Sequence, residues 1–300
     1  MFVSILLVKN QIKHTFYNLS QIKPNFVPIT PACYSKPFDI DLSLSIYPKE
    51  TTPDAIYKSK FNEIKSTKYS DFQAFYTDGS KKDERTSFSV CHDFGTSSSR
   101  INDHASIFTA EAEGIKRAIN FILTSPREEG QFVIFSDSKS VLESLDNYNS
   151  KNVVIKECLD LIYKVIKREK VVAFCWVPGH VGIRGNELAD QAAKHALRRE
   201  IPPNLRIPYQ DFLPLVRTFV KQRWQSRWDS SHAEHPIKLH AIQPIIHPHP
   251  NTSGLTRKEE TVYHRLRIGH TRLTQKYLFE QRGPVKYAPL CHFCDKGVGA

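Results

Sequence analysis

The 300 residues carry 42 Lys and Arg against 31 Asp and Glu, a formal charge of +11 with a sequence pI near 9.3. That length accommodates about two domains of roughly 150 residues each, and 40% apolar with 24% charged residues is ordinary for a globular chain. No apolar run approaches the ~18 residues of a membrane span, so no membrane partner is expected, while the basic excess favours a polyanionic one.

The excess is uneven. Residues 1–69 hold 9 basic against 5 acidic side chains, residues 70–200 hold 18 against 19, and residues 201–300 hold 15 against 7. The middle is neutral and the flanks carry the charge. Of the six Cys, only Cys291 and Cys294 are close, as CxxC. This is not the spacing of a secreted disulfide framework. Cys158 and Cys175 read as ordinary buried thiols, and an intracellular compartment, cytoplasm or nucleus, is expected. MFVSILLVK lacks the basic n-region and the cleavage site of a secretory signal.

Along the chain, residues 1–69 are poorly periodic, with Pro at 24, 28, 31, 37, 48 and 53, and read as a loose N-terminal flank. DFQAFYTD, from Asp71, alternates and is rich in aromatics, which predicts a strand. GSKKDE reads as a turn, and RTSFSVCHDFG and TSSSRINDH as two further strands. SIFTAEAEGIKRAINFIL is helical, QFVIFSD is a buried strand, SKSVLESLDNY a short helix and NVVIKECLDLIYKVIKREK a longer one. VVAFCWV is a fifth strand, and GNELADQAAKHALRRE a last helix that IPP ends. The order predicts an α/β fold over residues 70–200, with helices flanking a mixed sheet. Such sheets keep ligands at the carboxyl ends of their parallel strands, which points to Asp78 and Asp137. Residues 201–300 read as a basic helical tail, with helices in LVRTFVKQRWQSRW, TRKEETVYHRLRIGH and TRLTQKYLFE.

Four carboxylates stand in unusual places. Asp78 and Asp137 each close an apolar strand, although Asp78-Gly79 also fits a turn and Asp137 a helix start. Glu111 falls on the apolar stripe of its helix, with Phe108, Ile115, Ala118, Ile119 and Ile122. Burying it costs several kcal/mol unless a positive group meets it. Glu113 lies about 200° round that helix, with Lys116 and Arg117 at i+3 and i+4, and reads as a surface ion-pair residue. In the last helix Leu188, Ala189, Ala192, Ala193 and Ala196 read as the packing face, with Asn186 and Asp190 on another. Ten residues before Asp190, His180 sits on a loop with Gly179, Gly182 and Gly185, which free the backbone for close approach. A His in that setting reads as a proton carrier. Oxygen ligands of this kind suit Mg²⁺ or Mn²⁺, and a pair of such ions can clamp both oxygens of a phosphodiester in displacement.

With these residues assembled, the sequence resembles the type-1 ribonuclease H family, in particular the ribonuclease H region of non-LTR retrotransposon polyproteins. The resemblance rests on YTDGSK, FTAEAEGI, FSDSKS and WVPGHVGIRGNELADQAAK, in the family's order. It implies a ribonuclease-H-like five-stranded mixed sheet flanked by helices. It implies Asp78, Glu111, Asp137 and Asp190 as ligands of two Mg²⁺ ions, with Mn²⁺ able to substitute. His180 would assist proton transfer or product release. Gly79, Ser80 and Ser138 would approach the nucleic-acid backbone. The implied activity is endonucleolytic hydrolysis of the RNA strand of an RNA/DNA hybrid, and the implied partner, besides that hybrid, is a reverse transcriptase of the same element. The basic helix and loop with which many cellular members grip substrate has no counterpart in residues 138–170, so substrate affinity is expected to depend on the basic flanks. The tail resembles the segment that follows ribonuclease H in such polyproteins, but its CxxC has no downstream His/Cys pair, and two thiolates do not close a tetrahedral zinc site. The chain thus reads as a piece of a longer element. Two other readings stand beside the hybrid ribonuclease: a nucleic-acid-binding remnant with weak turnover, and a different nuclease or transposase on the same fold.

Overall fold

The computed structural model describes residues 37–126, 130–202, 206–234, 238–246 and 254–268. The expected helix in TRLTQKYLFE and the Cys291–Cys294 pair lie outside the described residues. The chain divides into two compact units, the first ending at Leu213 and the second beginning at Pro214.

In the first unit the order is β1 (Asp39–Asp41), α1 (Asp54–Thr67), β2 (Gln73–Lys82), β3 (Arg85–His92), β4 (Gly95–Ile101), α2 (Ile107–Thr124), β5 (Gly130–Ser136), α3 (Lys139–Leu145), α4 (Val153–Ile166), β6 (Lys170–Trp176) and α5 (Arg184–Ala196). The strands form one sheet ordered β1-β6-β5-β2-β3-β4. β2, β3 and β4 are an antiparallel meander, while β5 joins β2, β6 joins β5 and β1 joins β6 in parallel. This is the expected mixed sheet with helices on both faces, carrying six strands instead of five.

The sixth strand comes from the segment expected to be loose. Residues 37–69 supply β1, paired to β6 from Asp39↔Ala173 to Asp41↔Cys175, and α1, which covers part of the sheet. Leu44, Tyr57, Phe61 and Tyr69 are buried there against Tyr76, Val133 and Phe135. The Tyr57 hydroxyl donates to the Tyr47 carbonyl at 2.7 Å, and Lys68 bridges Asp39 and Asp41 at 2.7 and 2.8 Å. Six Pro over 69 residues obscured the pattern, because α1 shows only Tyr57 and Phe61 as buried anchors in an otherwise polar helix.

Alternation along the strands sorts the core into two faces. Phe132 and Ile134 of β5 point to α2, α3 and α4, whereas Val133 and Phe135 point to α1 and α5. β2 does not turn at Asp78-Gly79. It runs on to Lys82, and the hairpin closes at Asp83 and Glu84, both at positive φ (48° and 62°), the dihedrals of a type I′ turn. Glu113 is buried rather than exposed. Its carboxylate meets Lys116 Nζ at 2.5 Å, and the same ammonium reaches Glu157 of α4 at 3.0 Å, so α4 covers a face that reads as surface from its own helix alone. Leu188 is about half exposed, while Ala189, Ala193 and Ala196 pack as expected. The unit extends past residue 200 because Ile207 is buried with Phe88, Ile101, Ala105 and Ala110.

In the second unit α6 (Leu213–Glu234) is followed by α7 (Lys238–Ile242) and α8 (Arg257–Ile268). Trp228 Nε1 donates to the Gln243 carbonyl at 3.1 Å. Thr256 and Glu259 form a reciprocal N-terminal cap on α8, the Thr256 N–H donating to Glu259 at 2.7 Å. No described helix is long and apolar enough to cross a membrane.

Candidate active site

β2 and β5 lie side by side and parallel, with Thr77 opposite Ser136. Asp78 and Asp137 follow directly, so the pairing brings two carboxylates together at one end of the sheet. α2 supplies the third. Its start is fixed by Ser106, whose side chain accepts from the Thr109 N–H at 3.2 Å, and its second turn crosses β2 at Gly79. A Cβ on Gly79 would stand 2.9 Å from the Glu111 backbone nitrogen and 3.0 Å from its Cδ, so only glycine lets helix and strand approach this closely. The result is a cluster of Asp78, Glu111 and Asp137 whose facing carboxylate oxygens all lie within 4.8 Å of one another.

α5 brings the fourth acid. Two buried hydroxyls of β3 hold that helix: Ser87 Oγ donates to the Ala193 carbonyl and Ser89 Oγ to the Ala189 carbonyl, both at 2.6 Å. Asp190 is thereby presented at the same end of the sheet. It groups with His180 and Glu187, their candidate ligand atoms again within 4.8 Å of one another. His180 Nδ1 stands 3.9 Å from Asp190 Oδ2, too far for a hydrogen bond, and Lys194 Nζ reaches the same oxygen at 2.6 Å.

The electrostatics are those of crowded anions. Burial first, then the Asp137 and Asp190 carboxylates, push Asp78 up to about 8. Burial, Asp137 and Asp78 hold Glu111 well above the ordinary carboxylate range. Asp137 is raised by burial, with the Asn186 amide and His180 pulling the other way. Among the described residues, the buried Asp78 Oδ2 and Glu111 Oε2 have no hydrogen-bond partner. Buried acceptors left so are costly. An all-oxygen donor set of three converging carboxylates fits a hard divalent cation, so the residues present suit the metal that the sequence implies.

The glycine-bearing loop touches this cluster directly. A Cβ on Gly179 would stand 2.5 Å from Asp137 Oδ2, and one on Gly185 would stand 2.4 Å from the Tyr76 ring. His180 itself adopts a left-handed φ of 61°, with Gly182 at 77°, which turns the loop back over the sheet and leaves the His180 side chain exposed. The Gly182 N–H donates to Glu187 Oε1 at 3.0 Å, and Trp176 Nε1 donates to the Asp137 carbonyl at 2.9 Å. Gly179→Ala is therefore expected to displace the Asp137 carboxylate. A misplacement of about 1 Å costs on the order of 10²-fold in rate, to be read as kcat with folding checked by circular dichroism.

Of the expected backbone contacts, Gly79 and Ser138 are half-buried at the sheet end, and Ser80 is buried inside the hairpin. Three participants were not singled out from sequence as members of the site. Glu187 anchors the loop, Asn186 is buried beside Asp137, and Lys194 pairs with Asp190. The i, i+4 spacing of Asp190 and Lys194 carried the last of these.

The RNase H family model matches residues 71–198, a span that contains all four acids and His180. Over 33 residues, 11% of this chain, the sequence is 58% identical to the Pol polyprotein of equine infectious anemia virus strain Wyoming. The same identity and length hold for the Pol polyprotein of isolate 1369. The chain spans about 3% of the length of these curated relatives. The match, the mixed sheet and the converging acids agree: residues 71–198 form a domain of the ribonuclease H family.

Proposed function

We propose that the chain is a metal-dependent endonuclease that hydrolyses the RNA strand of RNA/DNA hybrids and derives from a retroelement polyprotein. The observation that carries the reading is the cluster of Asp78, Glu111 and Asp137, with facing oxygens within 4.8 Å and two of its buried oxygens unpartnered. Asp78, Glu111, Asp137 and Asp190 would hold two Mg²⁺ ions, or Mn²⁺ in their place. Bound there, such ions lower the pKa of a water and neutralise charge on the leaving 3′ oxygen.

The chain's own groups do the rest. Burial of the acids strengthens the interaction each would make with a bound cation. Gly79 and Gly179 let backbone pass within contact of Glu111 and Asp137, which holds those carboxylates in place. His180, exposed and next to Asp190, is placed to carry a proton at its imidazole or to assist release of the cut strand. Choice of the RNA strand rests on recognition of 2′-OH groups in a wide minor groove. The partial likeness to Pol polyproteins supports a reverse transcriptase as partner, and buried thiols at Cys91, Cys158 and Cys175 support a reducing intracellular setting.

The test is cleavage by residues 1–300 of end-labelled RNA within a hybrid, in Mg²⁺ or Mn²⁺, beside single-stranded RNA and duplex DNA. Cutting of the hybrid alone is expected. A shift in hybrid mobility without cutting would favour the binding remnant instead, and cutting of duplex DNA would favour another nuclease on this fold. His180→Ala is expected to lower kcat by up to about 10²-fold, at the low end for a lost proton carrier, with KM little changed.

A further inference from the structure

A second feature lies on the α1–α5 face of the sheet. Between α1 and the start of α5 runs an open groove of about 630 Å³, floored by Tyr76. One wall is α1, where Lys58, Asn62 and Lys65 recur at i, i+4 and i+7 and so share one helix face. All three are exposed. The other wall holds Gly182, Gly185 and the exposed Arg184. Lys65 Nζ donates to the Tyr76 hydroxyl at 3.2 Å, and the end of the Lys58 side chain lies where a Cβ on Gly182 would come within 2.4 Å of it. Three cations thus line the groove against one acid, the exposed Asp93.

We propose that this groove binds the sugar-phosphate backbone of a nucleic-acid strand beside the acid cluster. The inference rests on the nuclease reading and adds a substrate-binding track to it. Three observations carry it. First, the groove adjoins the cluster. Gly179 abuts Asp137 and Gly182 abuts Lys58, and three residues span at most about 10 Å, so one strand can engage both. Second, the cations are spread along a line. Lys58 and Lys65 are about 10 Å apart along the helix axis, about three nucleotide rises of 3.4 Å on one strand. A point ligand would need them focused, whereas a chain of phosphates matches them spread. Third, residues 70–200 carry 18 basic against 19 acidic groups, so this domain has little net attraction for a polyanion. Lys58 and Lys65 lie upstream of the matched span of 71–198 and are added to it by the packing of α1. The N-terminal segment also grips the catalytic loop, since Lys49 Nζ donates to the Gly179 carbonyl at 3.0 Å.

The test is binding, not turnover. Full-length protein carrying Asp78→Asn, in chelator, is titrated against a fluorescent RNA/DNA hybrid by anisotropy across a salt series. Each phosphate contact contributes about 0.7–0.9 to the slope of log K against log salt. The triple variant Lys58→Gln/Lys65→Gln/Arg184→Gln is expected to flatten that slope by roughly 2–3, and each single variant by up to about 0.9. The single variants keep the test open if the triple fails to fold. Lys164→Gln/Lys167→Gln, at the C-terminal end of α4 on the opposite face, is expected to leave the slope unchanged. An unchanged slope in the groove variants overturns the proposal. So does retained hybrid affinity with lost binding of a labelled poly-glutamate peptide, which would assign the groove to an acidic protein segment. A wild-type chain that cuts nothing would sink the nuclease reading and leave this slope measurement standing. Intact cleavage with unchanged slopes would sink the groove alone.

Discussion

Asp137→Asn is expected to reduce hybrid cleavage by at least about 10²–10³-fold, the loss that follows removal of one preorganised charged group from a reacting centre. Asp78→Asn should do the same. The physical reason is that three carboxylates converge within 4.8 Å in a setting where burial and mutual repulsion already raise all three. An amide keeps the shape of the group and removes its charge. Stability should move in the opposite direction from activity. Without metal the wild-type cluster is repulsive, so either Asn variant should melt higher than wild type in chelator, by about 2–4 °C for each kcal/mol relieved. Added Mn²⁺ should raise the wild-type melting temperature, because a ligand that binds only the folded state stabilises it by mass action, and should raise that of the variants less. Full cleavage by Asp137→Asn would refute the metal assignment, and a lower melting temperature in chelator would show that the cluster does not repel itself as described. Scanning calorimetry and initial rates on the same preparations give both readouts.

Deleting residues 1–69 is expected to unfold or nearly unfold the domain that begins at residue 70. Leu44, Tyr57, Phe61 and Tyr69 are each at most 5% exposed. Phe61 and Tyr69 both meet Phe135 edge-on, with ring centroids 5.1 and 5.9 Å away. Burial of one large apolar side chain is worth about 1.5–3 kcal/mol, so the four together represent about 6–12 kcal/mol. Whole domains are stable by only about 5–15 kcal/mol. Deletion would also uncover Tyr76, Val133 and Phe135 and free the β6 edge that β1 covers, and an open edge of that kind invites aggregation. Soluble expression and urea denaturation of residues 70–300 against the full chain check this. A 70–300 protein with an unchanged urea midpoint would show the N-terminal packing to be dispensable. A chain beginning at residue 37 serves as control, since it keeps β1 and α1.

Much of this site is legible in the linear sequence, and for a definite reason. An acid placed among apolar positions violates the local rule for its element, and such violations show in a linear string. Glu111 interrupts an apolar helical stripe, Asp137 follows an apolar strand, and Asp78 follows the apolar part of another. His180 sits among glycines that no core helix requires. The strand and helix order also followed from pattern, because β5 and β6 are short apolar runs buried on both faces and the helices carry apolar residues at helical spacing. What sequence alone determined is therefore the domain's class and its order of elements, and it singled out four acids and a histidine as the candidate site.

Tertiary structure decided what depends on contacts between distant segments. Asp78-Gly79 satisfies turn chemistry in isolation, yet it lies within β2 because pairing with β3 from Phe75↔His92 to Lys82↔Arg85 outweighs a local preference. Glu113 has the spacing of a surface ion pair, yet α4 covers it and brings Glu157 to the same lysine. Gly179 reads only as a permissive residue, and Gly79 as a backbone contact implied by the resemblance, until their neighbours, Asp137 and Glu111, are in place. The N-terminal segment read as loose because its few anchors, Leu44, Tyr57, Phe61 and Tyr69, have no period of their own. They bury only against a sheet surface formed by residues far later in the chain, and that surface exists only once β2, β5 and β6 have assembled.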